Sequence, residues 1–209
     1  LGNGYDPLLI DGDPNAAGWK VPALALRDDI PLERLTSRRA LLGAIDGQRA
    51  AIDASADSSG DRLAARAFDL LTSAEVRAAF DLDAELPSDR DRYGRHIHGQ
   101  CVLLARRLIE RGVPLVTVNW HNDGRNFWDT HGQNFTRLRS ELIPQADQAL
   151  SALLEDLSQR GLLDETLVAW VGEIGRKPQI SPGGDGREHW PYCYSGLLAF
   201  ASTRHTRAE

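Results

Sequence analysis

Two loops of this chain concentrate side chains that can bind a metal ion. The first contains Trp128-Asp129-Thr130-His131, and the second lies between Glu173 and His189. Asp129 and His131 are two residues apart, so their side chains point the same way in an extended segment. Carboxylate oxygens and imidazole nitrogens are ligands of divalent metals. The spacing alone favours a simpler interpretation, in which Asp129 caps the following helix and His131 makes an ordinary loop hydrogen bond.

Glu173 and His189 are the candidate ligands of the second loop. Glu173 ends an apolar run suited to burial, where a carboxylate is costly unless it is paired or bound to a metal. An ion pair with Arg176 explains Glu173 as well as metal ligation does. His189 fits a packed surface imidazole as well as it fits a ligand. His121 and Asp123 are weaker candidates, since their surroundings are polar.

Arg176 and Arg187 lie in the same second loop. Guanidinium groups bind phosphate or sulfate oxygens through paired hydrogen bonds, so beside a metal they would suit an anionic ester. The simpler alternative is charge balance for the nearby acids. The sequence contains neither a Gly-x-Ser-x-Gly nucleophile motif nor a phosphate-binding Gly-x-x-x-x-Gly-Lys loop.

Helices and strands alternate around these loops. Apolar residues recur at helical spacing over 93–108 and 138–157, whereas 113–119, 166–171 and 195–200 are apolar runs typical of buried strands. This alternation predicts a parallel sheet with right-handed crossovers. Ligands of such sheets bind beyond the carboxyl ends of the strands, so we expect both loops at one edge.

The first part of the chain has a different character. Residues 1–35 are rich in Gly, Pro, Asp and Asn, which is typical of loops. Short helices are predicted after Ser37 as an N-cap, over about 61–71, and after the capping box Thr72-Ser73-Ala74-Glu75. The predicted organisation is a loop-rich and helical region packing on the core (1–92), the C-terminal part of an α/β core (93–200) and a polar tail (201–209).

Composition excludes some classes of function. The chain has 209 residues and a net charge of -6, which argues against a nucleic-acid partner. No apolar run approaches the length of a membrane span. Two cysteines, Cys101 and Cys193, are too few for a disulfide framework. The chain contains no Met, so we interpret it as a piece of a longer protein, and its lack of a targeting signal says nothing about localisation.

Several motifs, in order, resemble the DUF1501 family of bacterial proteins. They are Arg92-Tyr93-Gly94-Arg95, Gly99–Leu108, Trp128-Asp129-Thr130-His131, Gly172-Glu173-Ile174-Gly175-Arg176 and Arg187-Glu188-His189-Trp190-Pro191. The family is related to the alkaline phosphatase and sulfatase superfamily. The resemblance therefore implies a three-layer α/β/α sandwich with a mostly parallel sheet, represented here by a fragment. It also implies an exported, often periplasmic protein that hydrolyses an anionic ester, either a small molecule or a sulfated or phosphorylated glycan.

The resemblance further implies roles for site residues. The ligands of a divalent metal such as zinc or calcium would be Asp129, His131, Glu173 and His189, and the residues holding the anion would be Arg176 or Arg187. The superfamily has a His after the second carboxylate, where this chain has Ile174. No residue matches the nucleophile, which is expected upstream. The alternative is an exported, non-catalytic binding or structural protein on a degenerate scaffold, and Ile174 favours it.

Overall fold

The computed structural model describes residues 6–21, 24, 30–52, 68–69, 72–120, 127–182 and 184–201, with the side chains of 45–52 left out. The chain forms two compact units, Leu1–Ala84 and Glu85–Glu209. The predicted region 1–92 crosses this boundary, and its packing on the core stays a prediction. The described residues contain no helix that is both long and apolar enough to cross a membrane. His121, Asp123, tail residues 202–209 and most of the helix predicted over 61–71 lie outside the described residues.

Two α-helices are described in the first unit. Helix α1 spans Leu32–Ile52, so Ser37 lies inside it rather than at its cap. Pro31 explains the earlier start, because proline suits a helix beginning and its carbonyl accepts from Arg34 N at 2.9 Å. Helix α2 spans Ala74–Phe80 and is capped by Ser73, whose hydroxyl accepts from the Val76 amide. The helix predicted at this capping box is therefore confirmed.

The described part of the second unit combines helices with one small sheet. Its helical elements are α3 (Pro87–Tyr93), α4 (Ile97–Glu110), α5 (Asn134–Arg137), a π-helical turn (Leu138–Leu142) and α6 (Ile143–Gln159). The helical patterns predicted over 93–108 and 138–157 are confirmed, except that Gly94, with φ of 97°, ends α3. His96 then starts α4, because its Nδ1 accepts from the Gly99 amide. The chain is thus broadly α/β.

A buried network centred on Arg106 holds three of these helices together. Its side chain is 1% exposed, and it lies 2.6 Å from Glu85 Oε2 and 2.9 Å from Asp156 Oδ2. Tyr93 donates to the same Asp156 oxygen at 2.9 Å, and Arg107 pairs with Glu85. Asp156 thereby links α6 to α3 through a hydrogen bond and to α4 through an ion pair. Such a network stabilises a core only while every charge keeps its partner.

The sheet contains two short antiparallel strands. Strand β1 (Val168–Val171) pairs with β2 (Gly196–Ala199) in the register Val168 to Ala199. The strands predicted over 166–171 and 195–200 are confirmed, but their parallel arrangement is wrong. The described residues of the connection between them form no crossover helix, and strands joined by such a loop run antiparallel. Both strands are mostly exposed rather than buried.

The buried strand predicted over 113–119 is also wrong. The segment has no strand partner among the described residues, and Leu115 is 80% exposed. A β-branched apolar run favours extended backbone, but pairing requires a neighbouring strand that the run itself does not specify. The segment instead lines an open groove of about 1610 Å³ with α4, α6 and β1.

We predict that Arg106→Gln lowers the free energy of unfolding by about 3–5 kcal/mol, because it removes the buried cation that Glu85 and Asp156 share. Denaturant unfolding followed by tryptophan fluorescence measures this loss. Arg95→Gln is the matched control, since its pair with Asp91 is exposed and should matter by less than about 1 kcal/mol. Equal losses in the two variants would contradict the role of the network.

The same network predicts acid sensitivity. Burial opposes ionisation of Glu85 and Asp156, but hydrogen bonds and charges from the neighbouring arginines outweigh it and lower both pKa values. Carboxyls with lowered pKa stabilise the folded state above about pH 4, and that contribution is lost as the pH falls through the folded values. As the pH falls through this window, the free energy of unfolding should decrease steeply in the wild type and less steeply in Glu85→Gln. A wild type that is equally stable on both sides of the window contradicts this assignment.

Candidate metal centre

Three side chains that could each donate one atom to a metal ion meet in the second unit, and they come from the two loops. Asp129 Oδ1 lies 2.9 Å from His131 Nε2 and 2.8 Å from His189 Nε2. The side chains of all three are between 42% and 46% exposed. No other group of three or more His, Cys, Asp or Glu side chains clusters this closely among the described residues. The cluster is therefore open to solvent and to a ligand.

The second loop folds as a hairpin that presents His189. Arg176 and His189 form an isolated antiparallel bridge. On either side of it, Trp190 N donates to Gly175 O at 2.8 Å and Lys177 N donates to Glu188 O at 2.9 Å. These bonds fix the position of His189 on the hairpin, although the sequence here carries no strand-like alternation.

The hairpin packs directly on the first loop. The Asn134 amide donates to Asp185 O at 3.0 Å, and the Arg187 amide donates to Thr130 O at 3.4 Å. Gly186 permits this approach, because a Cβ atom there would overlap the carbonyl group of His131. The two loops therefore form one unit around Asp129 and its imidazole neighbours.

Arg176 connects the loops through its guanidinium group. Its Nη2 lies 2.5 Å from Asp129 Oδ1 and donates to Trp128 O at 3.1 Å, while Nη1 donates to Arg187 O at 3.0 Å. One planar cation thus orients the carboxylate and both backbones. No ion pair joins Arg176 to Glu173 among the described contacts, so the simple explanation of Glu173 fails.

Asp129 remains a carboxylate at neutral pH. Hydrogen bonds from His189 and then Arg176 lower the pKa of Asp129 to about 2. A metal ligand must be deprotonated, so this environment suits ligation. The alternative role as a helix cap is wrong, because α5 begins after Gln133 without any side-chain cap.

The predicted ligand Glu173 does not join the cluster. It lies exposed just after β1 and lines the same groove as Asp129. Its role as a ligand stays a prediction. Arg187 lies on the hairpin, where Nε donates to Lys177 O at 2.6 Å and Nη2 to Arg176 O at 3.4 Å. Anion binding by Arg176 or Arg187 likewise stays a prediction.

Glu188 is a site residue that sequence reasoning missed. Its Oε2 lies 2.8 Å from His131 Nδ1, and its Oε1 accepts from the Ser181 hydroxyl at 3.2 Å. Hydrogen bonds from His131 and then Ser181 lower the pKa of the Glu188 carboxyl. Adjacent residues of an extended segment point to opposite sides, so the position of Glu188 beside His189 gave no reason to place both at one site.

Three tryptophans line the groove beside this cluster. Trp128 makes edge-to-face contacts with Trp120 and Trp170, with ring centroids 5.4 and 5.9 Å apart. Trp120 also stacks on His98 at 3.6 Å. Since Asp129 lines the same groove, an aromatic wall adjoins the candidate ligands.

The sequence profile described as "Protein of unknown function (DUF1501)" matches residues 1–208. The chain belongs to the DUF1501 family. The resemblance carried by the sequence motifs is thereby confirmed at the family level. No curated protein and no solved structure matches this DUF1501 chain.

We predict that Gly186→Ala destabilises the DUF1501 chain by about 1–3 kcal/mol, because the added Cβ meets the backbone of His131. Thermal or denaturant unfolding measures the loss. Gly184→Ala serves as the control, since a Cβ there has its nearest neighbour at 3.9 Å. If the Gly186 variant is as stable as this control, the close packing of the two loops is wrong.

Proposed function

We propose that this DUF1501 chain supplies metal-binding residues to a hydrolase of sulfate or phosphate esters. The observation that carries the proposal is the convergence of Asp129, His131 and His189 from separate loops. The family resemblance supports the reaction class, the three-layer α/β/α fold and an upstream nucleophile. Glu173, on the rim of the same groove, would join as a further ligand.

The donor set fits a transition metal of the zinc type. Metal–ligand distances of about 2.0–2.2 Å place donor atoms at most about 4 Å apart. The Asp129 oxygen lies 2.8 and 2.9 Å from the two imidazole nitrogens, and all three donor atoms lie within 4.8 Å of one another, so small displacements suffice. Calcium and magnesium prefer oxygen ligands, whereas two imidazoles favour zinc or a neighbouring transition ion. When bound, such an ion supplies Lewis-acid polarisation of an ester oxygen.

The protein's own groups would then hold the substrate. The described hydrogen bonds of Arg176 go to the Asp129 carboxylate and to two backbone carbonyls. Arg176 would therefore orient Asp129 as a metal ligand rather than bind the substrate anion. Arg187 directs Nε and Nη2 at carbonyls, which makes its Nη1 the better donor to a sulfate or phosphate oxygen. The groove walled by Trp128 and Trp170 suits an aromatic or glycan body of the ester.

The second candidate is a non-catalytic binding or structural protein. Ile174 stands where the superfamily has an imidazole, and Glu173 lies outside the cluster. This arrangement favours a site that binds one ion and an anion without turnover. The two candidates differ in hydrolysis and not in metal binding.

We predict that the wild-type chain binds Zn²⁺. His131→Ala and His189→Ala should each weaken this binding at least tenfold, because each removes one nitrogen ligand of the ion. Elemental analysis and calorimetric titration with Zn²⁺ measure this. Glu155→Ala is the control, an exposed carboxylate on α6 outside the cluster. Unchanged Zn²⁺ content in both His variants would show that the ligand assignment is wrong.

Hydrolysis separates the two candidate functions. The protein with its upstream segment should release the aryl alcohol from an aryl sulfate or aryl phosphate, and a chelator should abolish that release. Zn²⁺ binding without hydrolysis of either ester contradicts the enzyme and favours the binding protein.

A further inference from the structure

His131 faces a carboxylate with each of its ring nitrogens. Nε2 lies 2.9 Å from Asp129 Oδ1, and Nδ1 lies 2.8 Å from Glu188 Oε2. We infer that Glu188 is a positioning residue: it keeps the proton of His131 on Nδ1 and thereby presents the Nε2 lone pair to the metal. This inference rests on the proposed metal site.

Glu188 is well placed for this role because the hairpin holds it at two points. Its backbone carbonyl accepts from the Lys177 amide at 2.9 Å, beside the bridge between Arg176 and His189. Its second carboxylate oxygen accepts from the Ser181 hydroxyl at 3.2 Å. The carboxylate therefore meets the imidazole with its orientation already set.

The two carboxylates compete unequally for the single proton of a neutral imidazole. Asp129 Oδ1 already lies 2.5 Å from the cationic Arg176 and 2.8 Å from His189. Besides His131, Glu188 has the neutral Ser181 hydroxyl as its described side-chain hydrogen-bond partner, and the positive charge of Lys177 acts on it without a described ion pair. The less compensated carboxylate is the stronger acceptor, so Nδ1–H is the favoured tautomer.

Charge balance gives Glu188 a second effect. The positive charge of Arg176 neutralises the negative charge of Asp129, so this pair adds no net charge to the site. Glu188 supplies the negative charge that remains at the cluster. A carboxylate on the outer nitrogen of a metal-bound His also fixes the ring and increases its basicity.

The tautomer is the direct test. Long-range proton–nitrogen NMR of the metal-free, His-labelled protein, above neutral pH, should show Nδ1–H at His131. Glu188→Ala should shift the proton to Nε2, where Asp129 remains as acceptor. Glu188→Gln should keep Nδ1–H, because its amide oxygen still accepts. Glu155→Ala should match the wild type.

Zn²⁺ titration of the same proteins completes the test. Glu188→Ala should weaken Zn²⁺ binding by about 10–100-fold, and Glu188→Gln should restore part of the loss. An unchanged tautomer in Glu188→Ala overturns the inference while leaving Zn²⁺ binding, and so the proposed function, intact. If Glu188→Ala shows the tautomer shift but the wild type binds no Zn²⁺, the inference about the tautomer stands and the proposed function is overturned instead.

Discussion

The guanidinium group of Arg176 is the contact on which the candidate site depends. It touches the Asp129 carboxylate and the backbones of both Trp128 and Arg187. Among the described side-chain contacts of Asp129, it is the one that comes from outside the imidazole pair of His131 and His189. Hydrogen bonds from His189 and then Arg176 keep this carboxylate ionised, so the Arg176 contact contributes to both the geometry and the charge of the cluster.

Helices α5 and α6 connect the two loops of the candidate site to the core. Asn134 begins α5, which continues through the π-helical turn into α6, and its side chain accepts from the Thr130 hydroxyl at 2.6 Å. Asp156 on α6 in turn meets Arg106 and Tyr93 in the buried network. A continuous path of hydrogen bonds and helix thus runs from the core to the exposed candidate ligands, and it gives the polar loops a defined shape.

Sequence reasoning identified three of the clustered side chains better than it identified the residues that support them. Asp129 and His131 could be named as candidates because a carboxylate and an imidazole suggest shared chemistry, although their spacing alone favoured a simpler interpretation. Helices with apolar periodicity could be predicted directly. The partners of Arg176 and Glu188 could not be predicted, because these contacts form only when the hairpin packs on a loop that is distant in sequence. The strand prediction for 113–119 was wrong for a different reason. The preference of this segment for extended backbone is clear from its sequence, but its pairing depends on a neighbouring strand.

X-ray absorption at the zinc edge of the Zn²⁺-loaded protein tests the central claim most directly, because it counts the ligands. The arrangement of Asp129, His131 and His189 predicts two imidazole nitrogens at about 2.0–2.1 Å with oxygen donors completing the set. The imidazole count should fall by one in His189→Ala. A spectrum with oxygen donors only, or with an imidazole count that the variant does not change, would contradict the account.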